Sequence, residues 1–181
     1  RPENAVLTFS GDITPQAARA LAQQAFGDWR GQGAAPAPSA DAAGPALPPR
    51  VIVIDQPGAG QAAVITALRG ISRSDPDYFP LSVGNAVLGG GFSARLSQEI
   101  RIKRGLSYGA YSGLSAREDE GVLTASAQTR NDAVPQVIDL MLQQVRRLSD
   151  EPVTAADMAP RKATLTGDFG RTLETVDGLG S

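Results

Sequence analysis

The sequence contains neither cysteine nor histidine. The first absence excludes disulfides, zinc thiolates and a thiol nucleophile. The second excludes a Ser-His pair and imidazole ligation of a metal. Carboxylates remain, but no Asp/Glu cluster has the spacing of a calcium loop. No apolar run approaches the roughly 20 residues of a membrane helix, and no signal-peptide pattern opens the chain. There is no basic tail or stripe, and the net charge is −2, which argues against nucleic acid as the partner. What is present is globular in kind. Of 181 residues, 41% are hydrophobic and 20% charged, a composition that packs rather than one that stays disordered. A domain of about 150 residues buries roughly two-thirds of its unfolded surface. The opening without Met reads as that of an excised fragment.

Along the chain, Ala5 to Ser10 reads as a strand and Gly11-Asp12 as a turn. Thr14-Pro15 opens a helix, with Thr as cap and Pro at the first helical position. Ala18, Leu21, Ala22, Ala25 and Phe26 fall at helical spacing behind it, and Trp29 follows. Gly31 to Pro49 is an Ala/Pro/Gly linker. Val51 to Asp55 and Ala62 to Leu68 read as strands of an antiparallel pair around Pro57-Gly58-Ala59-Gly60. Asp75-Pro76 starts a helix that stops at Gly89–Gly91. Ser93 is placed to cap the next helix, whose buried face would hold Phe92, Leu96 and Ile100. Gly105 fits the left-handed position after it. Leu106 to Ala116 and Val122 to Arg130 read as strands joined by a solvated turn at Glu118-Asp119-Glu120. Asn131 or Asp132 would cap a helix lined by Val134, Val137, Ile138, Met141, Val145 and Leu148. Thr154 and Asp157 form a capping box for a last helix, with a kink or a late start expected at Pro160. The tail from Phe169 to Ser181 reads as partly helical and then cut short. After the linker the order is ββ-αα-ββ-αα. This is an α+β layer fold, one antiparallel sheet with helices packed on one face.

Three segments invite functional readings. Gly58-Ala59-Gly60-Gln61-Ala62-Ala63 fits G-x-G-x-x-A, but a dinucleotide site needs a helix starting inside the motif. Here β-like residues follow, so a turn is the better reading. Gly89-Gly90-Gly91 before a capped helix suggests an anion site, yet no Walker lysine follows, and a tight turn between helices accounts for it. Arg101 and Tyr108 stand seven apart, the first in the last turn of a helix and the second read as the third residue of a strand. Their ends could converge on a peptide carbonyl, or on the oxyanion formed from it. The alternative is a surface arginine and a half-buried strand tyrosine.

The phrases Gly90-Gly91-Phe92-Ser93-Ala94-Arg95-Leu96 and Arg101-Ile102-Lys103-Arg104-Gly105-Leu106-Ser107-Tyr108 change the odds. With Asn4 to Asp12 and Gln61, they make the chain resemble the non-catalytic domain of the M16 metallopeptidases, the insulinase, pitrilysin and processing-peptidase family. The resemblance covers nearly the whole chain. It implies two similar α+β halves that close over an unfolded peptide, one of them carrying zinc on an inverted H-x-x-E-H motif. The other half lacks metal and contributes an arginine and a tyrosine to substrate binding and transition-state stabilisation. By type and spacing these match Arg101 and Tyr108.

With no histidine, the chain is not a zinc peptidase alone. Zinc is expected in a partner half, in the same polypeptide or a separate subunit. On this reading residues 1–30 are the terminal strand and helix of the preceding half, 31–49 the linker, and 50–181 the non-catalytic domain, truncated at its C-terminus. A non-peptidase scaffold or binding protein of the same fold, holding partners without cleavage, is the other reading. The unpaired strand at 5–10 invites pairing between chains, so a homodimer or a swap through 1–30 is also expected.

Overall fold

The computed structural model describes residue 2, residues 5–31 and residues 48–180. The linker read over 31–49 therefore lies almost wholly outside the described residues. The chain divides into two compact units, one drawn from 1–41 with 164–181 and the other from 42–163.

In the first unit, helix α1 spans Pro15–Phe26. Its start is the one expected: the Thr14 hydroxyl accepts from the Ala17 amide at 3.2 Å, and Pro15 takes the first helical position. This satisfies an amide that the first turn would otherwise leave unpaired. The apolar stripe is present but uncovered, with Leu21 and Phe26 each half exposed. Leu7 and Phe9 join Leu21, Ala25 and Phe26 around a shallow cleft of about 470 Å³. Ala5 to Ser10 is not a strand. Among the described residues no other segment pairs with its backbone, and extended residues become a strand only in a ladder. The tail is helical to Gly180, as helix α5, Val176–Gly180.

The second unit is built on a three-stranded antiparallel sheet of order β1-β3-β2. Strand β1 is Ala62–Gly70, β2 is Ala110–Ala116 and β3 is Gly121–Thr129. The register sets Val64, Ala127 and Ala110 side by side, and likewise Leu68, Leu123 and Leu114. Strand β3 alternates buried and exposed along its length, the period-2 pattern of a sheet covered on one face. Helix α2, Tyr78–Gly89, packs on β2, and helix α3, Val134–Asp150, on β1 and β3. Between them lies the core: Val64, Leu88, Leu96, Ile100, Leu106, Val137, Leu140 and Met141, with alanines 110, 125 and 127. The architecture is therefore the α+β layer that the pattern implied.

Several local expectations differ. Val51 to Asp55 forms no strand, and Val51 to Ile54 are largely exposed. Strand β1 pairs with β3 instead, so a single hairpin remains, β2–β3. An apolar run signals that burial is wanted, but it does not choose the partner. The hairpin turn closes with the Arg117 amide donating to the Glu120 carbonyl at 2.7 Å. Neither Asn131 nor Asp132 caps α3. A 3₁₀ turn over Asn131–Ala133 leads into it, Asp132 pairs with Arg130, and Asn131 donates to the Ala59 carbonyl. Helix α4, Ala155–Leu173, starts at the expected cap, where the Asp157 amide donates to the Thr154 hydroxyl. It starts before Pro160 and runs through it. Around Gly58, whose φ is +84°, a turn leads directly into β1. With no helix there, the dinucleotide motif has no phosphate-binding terminus.

Candidate functional site

The site lies at the corner between the glycine turn, the helix after it and β2. The Gly89-Gly90-Gly91 turn ends α2 where it meets the sheet. A Cβ on Gly89 would run into the backbone nitrogen and side chain of Ser112 on β2. Glycine is required there because helix and strand come closer than any side chain permits. The Gly91 carbonyl then accepts from the Ala94 amide at 3.0 Å, and the chain enters a helical segment whose Ser97–Ile102 stretch is wound with π-type turns. Such widened turns are frequent at functional positions. Leu96 and Ile100 anchor the segment in the core with no exposure.

Phe92 does not join them. It is 58% exposed, because it precedes the helix and the glycine turn swings it outward. Ser93 does not cap either; its hydroxyl accepts from Arg161 on α4 at 2.7 Å.

The helix ends as its sequence dictates. Gly105 takes φ +60°, its amide donates to the Arg101 carbonyl, and the Leu106 amide donates to the Ile100 carbonyl, both at 2.9 Å. This is the left-handed stop that satisfies the last carbonyls. Leu106 then turns into the core, its carbonyl accepting from the buried Thr129 hydroxyl at 2.6 Å. The Ser107 hydroxyl spans Gly109, accepting from its amide and donating to its carbonyl. Tyr108 is thus presented on a short loop tied down on both sides. It is 87% exposed and lies before β2, neither half-buried nor the third residue of a strand.

The two residues singled out from the sequence do meet. The Arg101 guanidinium carbon stands 4.5 Å from the centroid of the Tyr108 ring and 4.8 Å from that of Phe92. The cation is therefore held between two aromatic faces, each contact worth about 0.5–1 kcal/mol at an exposed site. Phe92 is the member sequence reading missed. Its place directly after three glycines was the available signal, since a residue released by such a turn need not follow the helix's periodicity.

The charges nearby explain why Arg101 is free. Lys103 and Arg104 both pair with the Glu99 carboxylate, and Arg104 also donates to the Glu99 carbonyl. These hydrogen bonds, from Lys103 first and then Arg104, hold the Glu99 carboxyl below its ordinary range. With Glu99 so engaged, Arg101 has no hydrogen-bond or ion-pair partner among the described residues, and neither does the Tyr108 hydroxyl. Five guanidinium donors and one phenol are therefore available on one exposed corner. This suits a carbonyl, a carboxylate or a developing oxyanion. Zinc does not fit this chain: it has no histidine or cysteine, and no group of three carboxylates among the described residues is placed to hold a metal.

Fold and site together define a helix-backed antiparallel domain with unengaged donors suited to an acceptor group, without a thiol or an imidazole, and with no metal-holding cluster among the described residues. The chain belongs to the Peptidase M16 inactive domain family, whose model matches residues 1–165. An uncharacterised zinc protease of Mycobacterium leprae is 30% identical over 166 residues, covering 92% of this chain and 37% of the relative. One of Streptomyces coelicolor is 33% identical over 119 residues, covering 66% and 26%. Among solved structures, a peptidase M16 inactive domain from Pseudomonas fluorescens shares 34% identity at a TM-score of 0.57, covering 66% of this chain and 32% of that one. A protease from Helicobacter pylori shares the fold at a TM-score of 0.71 and 20% identity, over 94% of this chain and 42% of that one. The chain thus spans well under half the length of these relatives.

Proposed function

We propose that this chain is the non-catalytic, substrate-binding half of an M16-type zinc endopeptidase, closing over an unfolded peptide held by a zinc-bearing partner half. The observation that carries the reading is the Arg101 guanidinium held between the Phe92 and Tyr108 rings with its donors unengaged. Contact with the two rings restrains the guanidinium and leaves its N–H groups to donate, so less freedom is lost when a peptide carbonyl docks. Arg101 grips that carbonyl. The Tyr108 hydroxyl donates to the oxygen on which negative charge develops during attack, a role that favours the transition state over the bound substrate. The partner half supplies the metal and with it the activated water.

The naming of its relatives as zinc proteases supports the reading, as does the chain's lack of histidine and cysteine, the imidazole and thiolate ligands of zinc. The test is turnover of a peptide by the assembled two-half enzyme carrying Tyr108→Phe. Loss of one oxyanion donor costs about 100- to 1,000-fold in rate, so a fall of that order with little change in KM is expected. Unchanged turnover would remove Tyr108 from the mechanism. Arg101→Lys keeps the charge but loses the fork, and is expected to raise KM.

A further inference from the structure

Arg161, on the second turn of α4, makes an unusual choice of partners. Its Nη1 donates to the Ser93 hydroxyl at 2.7 Å and its Nη2 to the Ser93 carbonyl at 2.6 Å. Its Nε is buried and has no partner. An arginine that grips one residue's side chain and backbone while leaving a donor buried and unpaired sacrifices hydrogen-bond energy for geometry. The residue it grips is the neighbour of Phe92. On the other side of Phe92 lie Gly89, Gly90 and Gly91, and the position where a Cβ on Gly91 would sit has no atom within 4 Å. Gly89 is seated against Ser112 and the Gly91 carbonyl is tied to the Ala94 amide, but no side chain on the glycine side braces the Phe92 backbone, and glycine leaves it wide conformational freedom.

We infer that Arg161 is the positioning residue of this site: by clamping Ser93 it fixes Phe92, and through the Phe92 ring it sets the orientation of the Arg101 guanidinium. Arg161 does not touch substrate. It closes a chain of contacts from α4 through Ser93 and Phe92 to Arg101 and Tyr108. A second contact between the same elements provides the control. Arg95, three residues after Phe92, faces the Asp157 carboxylate at 4.0 Å. That contact joins α4 to the helical segment without passing through Ser93.

The consequence for peptide binding rests on the role proposed for Arg101, so the test reads geometry and stands apart from it. In the ¹⁵N-labelled full chain, the Arg101 Nε–H signal is identified by its loss in Arg101→Lys. A proton over an aromatic face is shifted upfield, and Phe92→Ala gives the signal's position without that ring. In Arg161→Ala the signal is expected to move toward its Phe92→Ala position while the backbone amides stay dispersed. Ser93→Ala, which removes only the hydroxyl acceptor, is expected to move it part of the way. Asp157→Asn is expected to leave it in place.

An Arg101 signal unmoved in Arg161→Ala overturns the inference. So does one that moves equally in Asp157→Asn, since α4 would then merely be docking. If Arg161→Ala does not fold, Ser93→Ala decides by the same criterion. In the assembled enzyme, the loosened stack is expected to raise KM about two- to fivefold, the factor one exposed cation–π contact represents. A KM that stays unchanged while the signal moves would refute the role of Arg101 and leave that of Arg161 intact.

Discussion

Two glycines five residues apart on α2 are expected to respond to alanine with opposite signs. A Cβ on Gly89 would overlap the Ser112 backbone nitrogen and lie 2.6 and 2.8 Å from its Oγ and Cβ. The Ser112 backbone is held in the β2–β3 ladder and cannot swing aside as a long side chain could. Its hydroxyl donates to the Asn85 side-chain carbonyl at 2.7 Å, so the same displacement strains that bond too. Overpacking of this kind costs about 1–3 kcal/mol, and a weakened hydrogen bond about 1 kcal/mol more. The gain in helix propensity returns at most about 1 kcal/mol. Gly89→Ala should therefore destabilise by about 1–3 kcal/mol, roughly 2–12 °C in Tm for a chain of this size.

A Cβ on Gly84 would meet only the Leu148 side chain at 3.8 Å, an ordinary contact. There the propensity gain is unopposed, and Gly84→Ala should stabilise by about 0.5–1 kcal/mol. Urea unfolding followed by circular dichroism, with m-values compared, measures both. A Gly89→Ala variant as stable as the parent, or a Gly84→Ala variant that is less stable, refutes the account of how α2 meets the sheet.

The Glu99 carboxyl, held low by Lys103 and Arg104, gives a pH dependence of known sign. A folded-state pKa below the unfolded value stabilises the native state at neutral pH, and that contribution fades as pH falls past the ordinary 4.5. Glu99→Gln is therefore expected to flatten part of the acid limb of a stability–pH profile; an unchanged limb would show the pairing to be inert. Gly105 sits at φ +60° with open space where a Cβ would go, so Gly105→Ala should cost only the backbone strain of a left-handed alanine, about 1–2 kcal/mol by thermal unfolding. A cost well above that would mean the stop carries contacts beyond its conformation.

Two helix starts and one stop were legible because their causes are local. Thr14-Pro15, Thr154 with Asp157, and Gly105 each satisfy or terminate a turn with atoms a few residues away, and each does so where the spacing placed it. The class of fold followed from the two periodicities. The caps expected at Ser93 and at Asn131 or Asp132 did not form, and α2 starts at Tyr78 rather than at Asp75-Pro76; the other failures were claims about partners. Val51–Ile54 has the composition of a strand and Phe92 the spacing of a core residue, yet both are exposed. Burial depends on which distant surface arrives, and a local pattern holds no record of that.

The sequence alone determined that this chain carries no thiol or imidazole chemistry and no thiolate or imidazole metal ligand, because no arrangement in space can supply a side chain that is absent. It also set Arg101 and Tyr108 on either side of a helix stop, seven residues apart. Only the three-dimensional structure decided that the two stack, that Phe92 joins them at the same guanidinium, and that Arg161 reaches back across 68 positions to hold Ser93. The Arg161–Ser93 contact joins residues far apart in the chain, and such a contact exists only once the fold has formed.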